Sequence, residues 1–531
     1  MGMKKIINSY IMKRKYEFIF FVVLFRFLSS VLSFLYVPII NYLEENALNR
    51  NWHTLIKYSP LLICYILFFI AFQYLGQFPV QKFFIKMLQN IREVYIKKLW
   101  KINPIEIENI GDEQYLLGYN KLSDCKQYVN SVVEFWISAI MLVLTVIYII
   151  VFMSPIYVII ILGLIAIMFF MFVMLSPLEE KQEMVYHQEK NNISMINNMM
   201  QGVDIIKSFF MQEKMLGLFH ENTIQIAKLE QKRYHYSIYM EVLQQIIQCG
   251  IMILLPFGTV FLVSKEKMGQ GVILVSSYIF FFLMNQINSM INHFGTIKQI
   301  NATVNFMDKV FKQTEQEDKN EEEIRTKESL ILKDITIAYG EKEVIRDLSY
   351  EFPMNGFLCI SGESGKGKST LIKFLCGLLP LKKGRVYYGK KEIGMRELQE
   401  IVSYVPQNVL TFPMDIYENI GMARKGDYKK EEINQILKDI CNKYSEEIIK
   451  ILEETKDATK LSGGQKQLMN IARAVYKNAN IVILDEPTAS LNKNLIESFV
   501  DFLITLSKDK LVIVVTHDNQ VIEKAGIHIK L

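Results

Sequence analysis

Apolar positions crowd the first 294 residues in long runs and then stop. Residues 313–330, KQTEQEDKNEEEIRTKES, are almost wholly polar, and beyond them short apolar runs alternate with helically periodic stretches. Crossing a bilayer takes roughly 20 mostly apolar residues in one helix. Six runs meet that need, at about 17–43, 58–80, 133–153, 156–176, 242–263 and 272–294. Only a Ser154-Pro155 turn separates the third from the fourth. The pattern predicts a multi-domain membrane protein. An all-α transmembrane domain of six spans covers residues 1–312, a charged linker 313–330, and a soluble α/β domain 331–531.

The connections are unequal. Those after the first, third and fifth spans are short, whereas 81–132 and 177–241 are long, helical in pattern and rich in Lys and Arg. Lys4, Lys5, Lys13, Arg14 and Lys15 precede the first span. Positive charge marks the cytoplasmic side, so the N-terminus, both long connections and the C-terminal domain are placed in the cytoplasm. The long connections read as helices that continue about 25 residues past the membrane, roughly 35–40 Å at 1.5 Å per residue. The basic N-terminus leads into a run long enough to span and lacks a small-residue cleavage site, which predicts a first transmembrane helix and not a removed signal.

Composition changes this picture little. The net charge of +5 is small for 531 residues and does not call for a nucleic-acid partner. The six cysteines, Cys64, Cys125, Cys249, Cys359, Cys376 and Cys441, form no C-x-x-C pair, so they read as scattered buried thiols and not as a metal site. Richness in Lys, Ile and Asn suggests a bacterium of low GC content.

Polar residues inside the spans are costly in lipid and should face other helices or a wet cavity. Gln244, Gln245 and Gln248 in the fifth span suit either interhelical hydrogen bonds or a cavity. Asn285, Asn288, Ser289 and Asn292 in the sixth recur at offsets 0, 3, 4 and 7, one helix face, and are expected to line a cargo path. Arg26, well inside the first span, suits snorkelling, a helix carbonyl or a substrate role.

The soluble half carries the chemistry. SGESGKGKST at 361–370 follows the apolar run GFLCI and precedes the helical TLIKFLCGLL. Gly362 to Ser369 fit G-x-x-x-x-G-K-S/T in the strand–loop–helix setting that identifies a phosphate-binding loop. Glycines let backbone N–H groups turn inward at a helix N-terminus, where any side chain would block a phosphate. The candidate nucleotide set is Gly362, Ser364, Gly365, Lys366, Gly367, Lys368, Ser369 and Thr370. Lys368 is suited to the β- and γ-phosphates and Ser369 to Mg²⁺. A second buried-strand pattern, IVILDEP at 481–487, ends in Asp485, suited to hold Mg²⁺, and Glu486, suited as general base for water.

Between these lies LSGGQKQ, Leu461 to Gln467, followed by a helical NIARAVY. With these three motifs the soluble half resembles the nucleotide-binding domain of ATP-binding cassette (ABC) transporters. The resemblance implies ATP and Mg²⁺ as cofactors and a head-to-tail dimer. Each ATP would lie between one chain's phosphate loop and the other's Ser462, Gly463, Gly464 and Gln465. It further implies that Tyr339 stacks on adenine, that Gln407 contacts Mg²⁺ and senses the membrane domain, and that His517 contacts the γ-phosphate.

More loosely, the membrane half is similar to exporters of this superfamily. IREVYIKKLW at 91–100 and MMQGVDIIKSFFMQE at 199–213 look like their loop segments, with short docking helices around 108–118 and 201–212. The resemblance implies a half-transporter that pairs with a second copy or a homologous partner and works by alternating access in the cytoplasmic membrane. Three positions depart from the family pattern. Asn492 stands where Asp is usual, ETKDATK replaces a Gly-Glu-x-Gly stretch, and the usual C-terminal helices are not expected; separately, no N-terminal peptidase domain is expected before the first span. Polar amides among many Met, Phe and Tyr suit an amphipathic cargo, a peptide before a drug or lipid. An importer on the exporter fold and an ATP-switched channel are the other readings.

Overall fold

In the computed structural model the described residues are 3–102, 112–152, 156–175, 177–264, 272–312, 326–339, 342–363, 365–441, 449–450 and 454–530. The chain divides into two compact units, residues 1–102 with 106–316, and in the main residues 317–531. Most of the predicted linker, the Ser154-Pro155 turn and Ser364 lie outside the described residues.

The first unit is helical: α1 (Met3–Lys13), α2 (Phe25–Leu48), α3 (Trp52–Leu99), α4 (Asp112–Asn120), α5 (Asp124–Phe152), α6 (Ile156–Met174), α7 (Leu178–Gln201), α8 (Val203–Ser208), α9 (Gln212–Ser264) and α10 (Val272–Lys312). A π-helical stretch, Phe18–Leu24, leads into α2. Among the described residues, four segments are long and apolar enough to cross a membrane: Lys15–Tyr36, Trp52–Leu99, Gly118–Val151 and Leu162–Gln201. The other two expected spans fall on α9 and α10. At 1.5 Å per residue the 48 residues of α3 extend about 70 Å. That is more than twice a hydrocarbon core of about 30 Å, so the helix continues well past a membrane. The short helices expected in the two long connections are α4 and α8; residues 108–111 of the first lie outside the described set.

One element was not expected. The basic N-terminal segment folds as a separate amphipathic helix, α1, burying Met3, Ile6, Ile7 and Tyr10 at offsets 0, 3, 4 and 7. That stripe packs with Val80, Phe84 and Met87 of α3 and with Ile300 and Val304 of α10, while Lys4 and Lys5 stay exposed. The Met3 N–H donates to Asp308 of α10.

The second unit is α/β. Its antiparallel sheet has the order β2-β1-β4-β5, from β1 (Leu330–Tyr339), β2 (Lys342–Phe352), β4 (Lys383–Tyr388) and β5 (Lys391–Glu392). The second sheet has the order β6-β7-β8-β3-β9, from β3 (Gly356–Ser361), β6 (Val402–Val405), β7 (Ile481–Asp485), β8 (Leu511–Val515) and β9 (Ile527–Lys530). All its pairings are parallel. Strands covered on both faces read as continuous apolar runs, as LVIVV in β8 does with all five residues buried. The helices that matter below are α11 (Lys368–Leu375), α12 (Met395–Ile401), α13 (Ile416–Gly421), α14 (Lys430–Cys441), α15 (Gly463–Tyr476), α16 (Lys493–Leu506) and α17 (Asn519–Lys524).

Candidate functional site: a glycine loop and two carboxylates at one sheet edge

In parallel sheets, ligands bind beyond the carboxyl ends of the strands. Three motifs end there on neighbouring strands. β3 runs into the glycine loop, β8 into His517, and β7 into Asp485 and Glu486. Gln407 follows β6, the neighbour of β7, and both Gln407 and His517 are exposed.

The loop needs its glycines. Gly365 and Gly367 have φ of +86° and +94°, a left-handed backbone that other residues adopt only with strain. Gly367 caps α11, and a Cβ there would lie 3.2 Å from Val344 Cγ1. A Cβ at Gly365 would project into open space, so that glycine is required by conformation and not by crowding. The Lys368 ammonium turns back on the loop and donates to the carbonyls of Gly362 and of Glu363, the latter at 3.0 Å. Neutral carbonyls satisfy its hydrogen bonds but not its charge. A cation at a glycine-lined helix N-terminus is a donor set that fits phosphate oxygens. Ser369 is exposed on the first turn and Thr370 is buried beneath it, while Lys366 is exposed and pairs with Glu363 at 3.9 Å.

Glu486 is held in an uncommon backbone conformation, φ +47°. Its N–H donates to Val515 O at 2.8 Å, and the Thr516 hydroxyl donates to its Oε2 at 3.1 Å. Such outliers persist only where surrounding bonds over-determine them, and here both come from the end of β8. Burial, then repulsion from Glu486, pushes the Asp485 carboxyl up from its ordinary range, while the Tyr404 hydroxyl and Lys368 act the other way. Oxygen ligands are what Mg²⁺ takes, and Asp485, Ser369 and Gln407 supply a carboxylate, a hydroxyl and an amide. Tyr339 closes the β1–β2 hairpin, paired with Lys342.

The SGGQ stretch folds elsewhere in the unit. Ser462 caps α15 through a capping box: its hydroxyl accepts from Gln465 N–H at 3.4 Å, and Gln465 Oε1 accepts from Ser462 N–H at 2.9 Å. A Cβ on Gly464 would fall 2.8 Å from Ser490 O, so this glycine allows close backbone approach. No described contact joins this stretch to the glycine loop.

Asn492, the departure from the family pattern, is the N-cap of α16, its Oδ1 accepting from Leu495 N–H at 3.0 Å. Asp caps a helix as well as Asn does. Asn492→Asp is therefore expected to leave stability within about 0.5 kcal/mol or raise it slightly through the helix dipole. A thermal melt checks this; a loss of about 1 kcal/mol or more would refute it.

Several supporting residues carry no sequence signal of their own. Asn419 is fully buried and donates to Phe412 O, Met414 O and Asp415 O, each at 3.0 Å. The Arg473 guanidinium of α15 donates to Asn419 O at 2.7 Å and to its Oδ1 at 2.8 Å. This hub ties α15 to the segment that follows Gln407. Thr516 was likewise invisible until β8 was set beside β7.

In the helical unit the expected stripe is divided. Asn285 and Asn292 are exposed. Asn288 donates to Gln248 of α9 at 2.9 Å, and the hydroxyls of Ser289 and Ser138 of α5 are hydrogen-bonded at 2.8 Å. Positions 288 and 289 lie about 100° apart around a helix, so two neighbouring helices claim them separately. Arg26 neither snorkels nor bonds a helix carbonyl; it forms an ion pair with Glu134 of α5, which the sequence did not bring forward. The pair offsets the cost of both charges. Of the six thiols, Cys64 and Cys249 are exposed on α3 and α9, and the other four are buried. Burial pushes Cys359 and Cys441 up to about 11, which keeps them unreactive.

Comparison with known proteins agrees with this geometry. The family model described as ABC transporter transmembrane region matches residues 16–287, just over half of the chain, and the ABC transporter model matches residues 345–489. An ATP-dependent lipid A-core flippase of Pectobacterium atrosepticum is 28% identical over 49% of this chain and 46% of its own length. The lactococcin-A transport/processing ATP-binding protein of Lactococcus lactis is 26% identical over 66% of this chain and 50% of its own. The chain thus spans half or less of the length of the curated relatives it matches. A bacterial Atm1-family ABC exporter solved with ATP bound shares the fold, with a TM-score of 0.86 over 99% of this chain and 94% of that one, at 18% identity. A transmembrane region over half of the chain, followed by an ATP-binding cassette in the fold of an ABC exporter, makes this chain a member of the ABC transporter family.

Proposed function

We propose that the chain is one half of an ATP-driven exporter that moves an amphipathic cargo, a peptide, outward across the cytoplasmic membrane of a bacterium. The observation that carries the ATPase reading is the Lys368 ammonium on neutral loop carbonyls, at the sheet edge that also holds Asp485 and Glu486. The glycine loop and Lys368 bind the phosphates. Asp485, Ser369 and Gln407 hold Mg²⁺, which when bound neutralises phosphate charge. Glu486, steadied by Thr516, orients water and takes its proton, and His517 supplies a contact to the γ-phosphate. Tyr339 supports the adenine. A second copy, or a homologous half-transporter, presents Ser462, Gly463, Gly464 and Gln465 to complete each site.

Alternating access then links cassette closure to the helical unit. Asn285 and Asn292, exposed on α10, are the residues for the cargo path; Asn288 and Ser289 border it. Arg26, paired with Glu134, supports the helices and is not assigned to cargo. The lactococcin-A relative favours a peptide, and the relatives named flippases favour a lipid as the second reading.

The test is ATPase stimulation of the protein in lipid by a panel of amphipathic peptides, lipids and drugs. Peptides should stimulate turnover severalfold, and Asn285→Leu with Asn292→Leu should remove most of that stimulation with nucleotide affinity unchanged. Stimulation by lipids alone would favour the second reading. In a background with Cys64→Ser and Cys249→Ser, a water-soluble thiol reagent should label Asn285→Cys and Asn292→Cys without nucleotide and much less with ATP. Equal labelling in both states would remove the cargo path from this face.

A further inference from the structure

α1 buries one face and turns the other outward. Its apolar stripe packs on Val80, Phe84 and Met87 of α3 and on Ile300 and Val304 of α10. Opposite that stripe lie Lys5 and Met12, on one line of the helix, with Lys4 on the flank, all exposed. The backbone leaves the helical region at Arg14 (φ −120°, ψ 35°), which sets α1 off from the first apolar run. Lys13, Lys15 and Tyr16 are exposed at this join.

α3 fixes the level of this face. The residues of α3 that meet α1 begin at Val80, where the second apolar run ends. Lys82 and Lys86 follow, exposed and on one side of the helix. By helix rise they lie about 3 and 9 Å beyond the run. The headgroup layer is about 5–8 Å deep on each side of the hydrocarbon. α1 therefore lies at headgroup depth.

The charge at this level is uncompensated. Arg14 is paired with Glu17 at 3.1 Å, and Asp308 is engaged by the Met3 N–H. Among the described residues, Lys4, Lys5, Lys13, Lys15, Lys82 and Lys86 have no acidic partner. Met12 and Tyr16 stand among them, 68% and 77% exposed. Cations interspersed with exposed apolar side chains match an anionic surface with an apolar layer behind it. A nucleic acid or an acidic protein offers the first and not the second.

We infer that the outer face of α1, with Lys82 and Lys86 of α3, is a docking surface for anionic phospholipid headgroups. Lysine ammonium groups hold the lipid phosphates, and Met12 and Tyr16 enter the boundary beside them. This surface needs the chain to cross a bilayer, but neither the cargo nor the direction of transport. Each lysine near an anionic membrane adds about fivefold to the preference for it.

The experiment uses the full chain in phosphatidylcholine liposomes. Asn8→Cys, on the outer face of α1, carries a fluorophore in a background with Cys64→Ser and Cys249→Ser. Phosphatidylglycerol or phosphatidylcholine bearing a nitroxide near the headgroup is titrated in as quencher. Phosphatidylglycerol should quench at a several-fold lower mole fraction. Lys4→Gln with Lys5→Gln should raise the mole fraction needed at least fivefold, with the melting temperature unchanged. High salt should do the same to the wild-type lysines. Lys214→Gln with Lys228→Gln, exposed on α9 about 20–40 Å short of its apolar run, should have no effect. Equal quenching by the two lipids overturns the inference, and so does an equal loss from the distant pair, which would leave only net charge. Relief of quenching by soluble glycerol phosphate or by polyglutamate would assign the face to a free anion or an acidic protein and would remove the lipid.

Discussion

Glu486→Gln should nearly abolish ATP turnover while leaving nucleotide binding intact. The amide has the shape of the carboxylate, and its oxygen can still accept from Thr516, as Glu486 Oε2 does at 3.1 Å. The left-handed backbone at this position is held by the N–H to Val515 O, which the substitution does not touch. Only basicity is lost. A positioned general base contributes about 10²–10⁴-fold, and turnover should fall within that range. Phosphate release measures the loss, and equilibrium binding of a fluorescent ATP analogue shows that the site remains. Cassettes that bind but do not hydrolyse should accumulate in the closed, paired state. Residual turnover within a few-fold of wild type would remove Glu486 from the chemistry.

Lys368→Ala should fail one step earlier, at binding. The ammonium is the positive charge set within the loop, and its hydrogen bonds go to the carbonyls of Gly362 and Glu363. Its loss removes a charge-assisted contact to phosphate worth about 1.5–3 kcal/mol. That corresponds to a Kd higher by roughly 10- to 150-fold, with turnover lost in consequence. The side chain also draws the loop carbonyls together, so the alanine variant should show a looser loop by hydrogen exchange at residues 362–368. Lys368→Arg should not rescue binding, because a planar fork differs in reach and shape from a compact ammonium. A Kd within threefold of wild type would refute the assignment. The contrast between the two variants separates phosphate binding from the attack of water.

What was legible beforehand depended on how local the signal is. The glycine loop, the Asp-Glu strand end and the SGGQ turn are each written in a few consecutive residues, because backbone conformation at a glycine or a cap is set locally. The helix that begins the chain was equally local, with Met3, Ile6, Ile7 and Tyr10 at helical offsets. Lysines between them made it read as a basic flank to the first span. Ser462 and Gln465 show a different limit. The S-x-x-Q spacing is a capping box in any protein, yet here the same residues also match the family's nucleotide contact, and the sequence does not say that one arrangement serves both.

The stripe on α10 is divided because helical periodicity says which residues share a face and not which neighbour meets each of them. Asn288 went to α9 and Ser289 to α5. Arg26 raised the same difficulty, since its partner Glu134 is remote in the chain and unremarkable in composition.

By itself the sequence determined the two-part architecture, the strand–loop–helix proposed to bind phosphate, and the identity of the charged groups at its edge. These follow from hydrophobic period and from backbone rules that act within a few residues. The tertiary structure alone decided which strands lie side by side. The order β6-β7-β8-β3-β9 brings Gln407, Asp485, Glu486, His517 and Lys368 to one edge and sets Thr516 against Glu486. Pairing in a parallel sheet is settled by long connections and shared burial between distant segments, and no short stretch of residues records it.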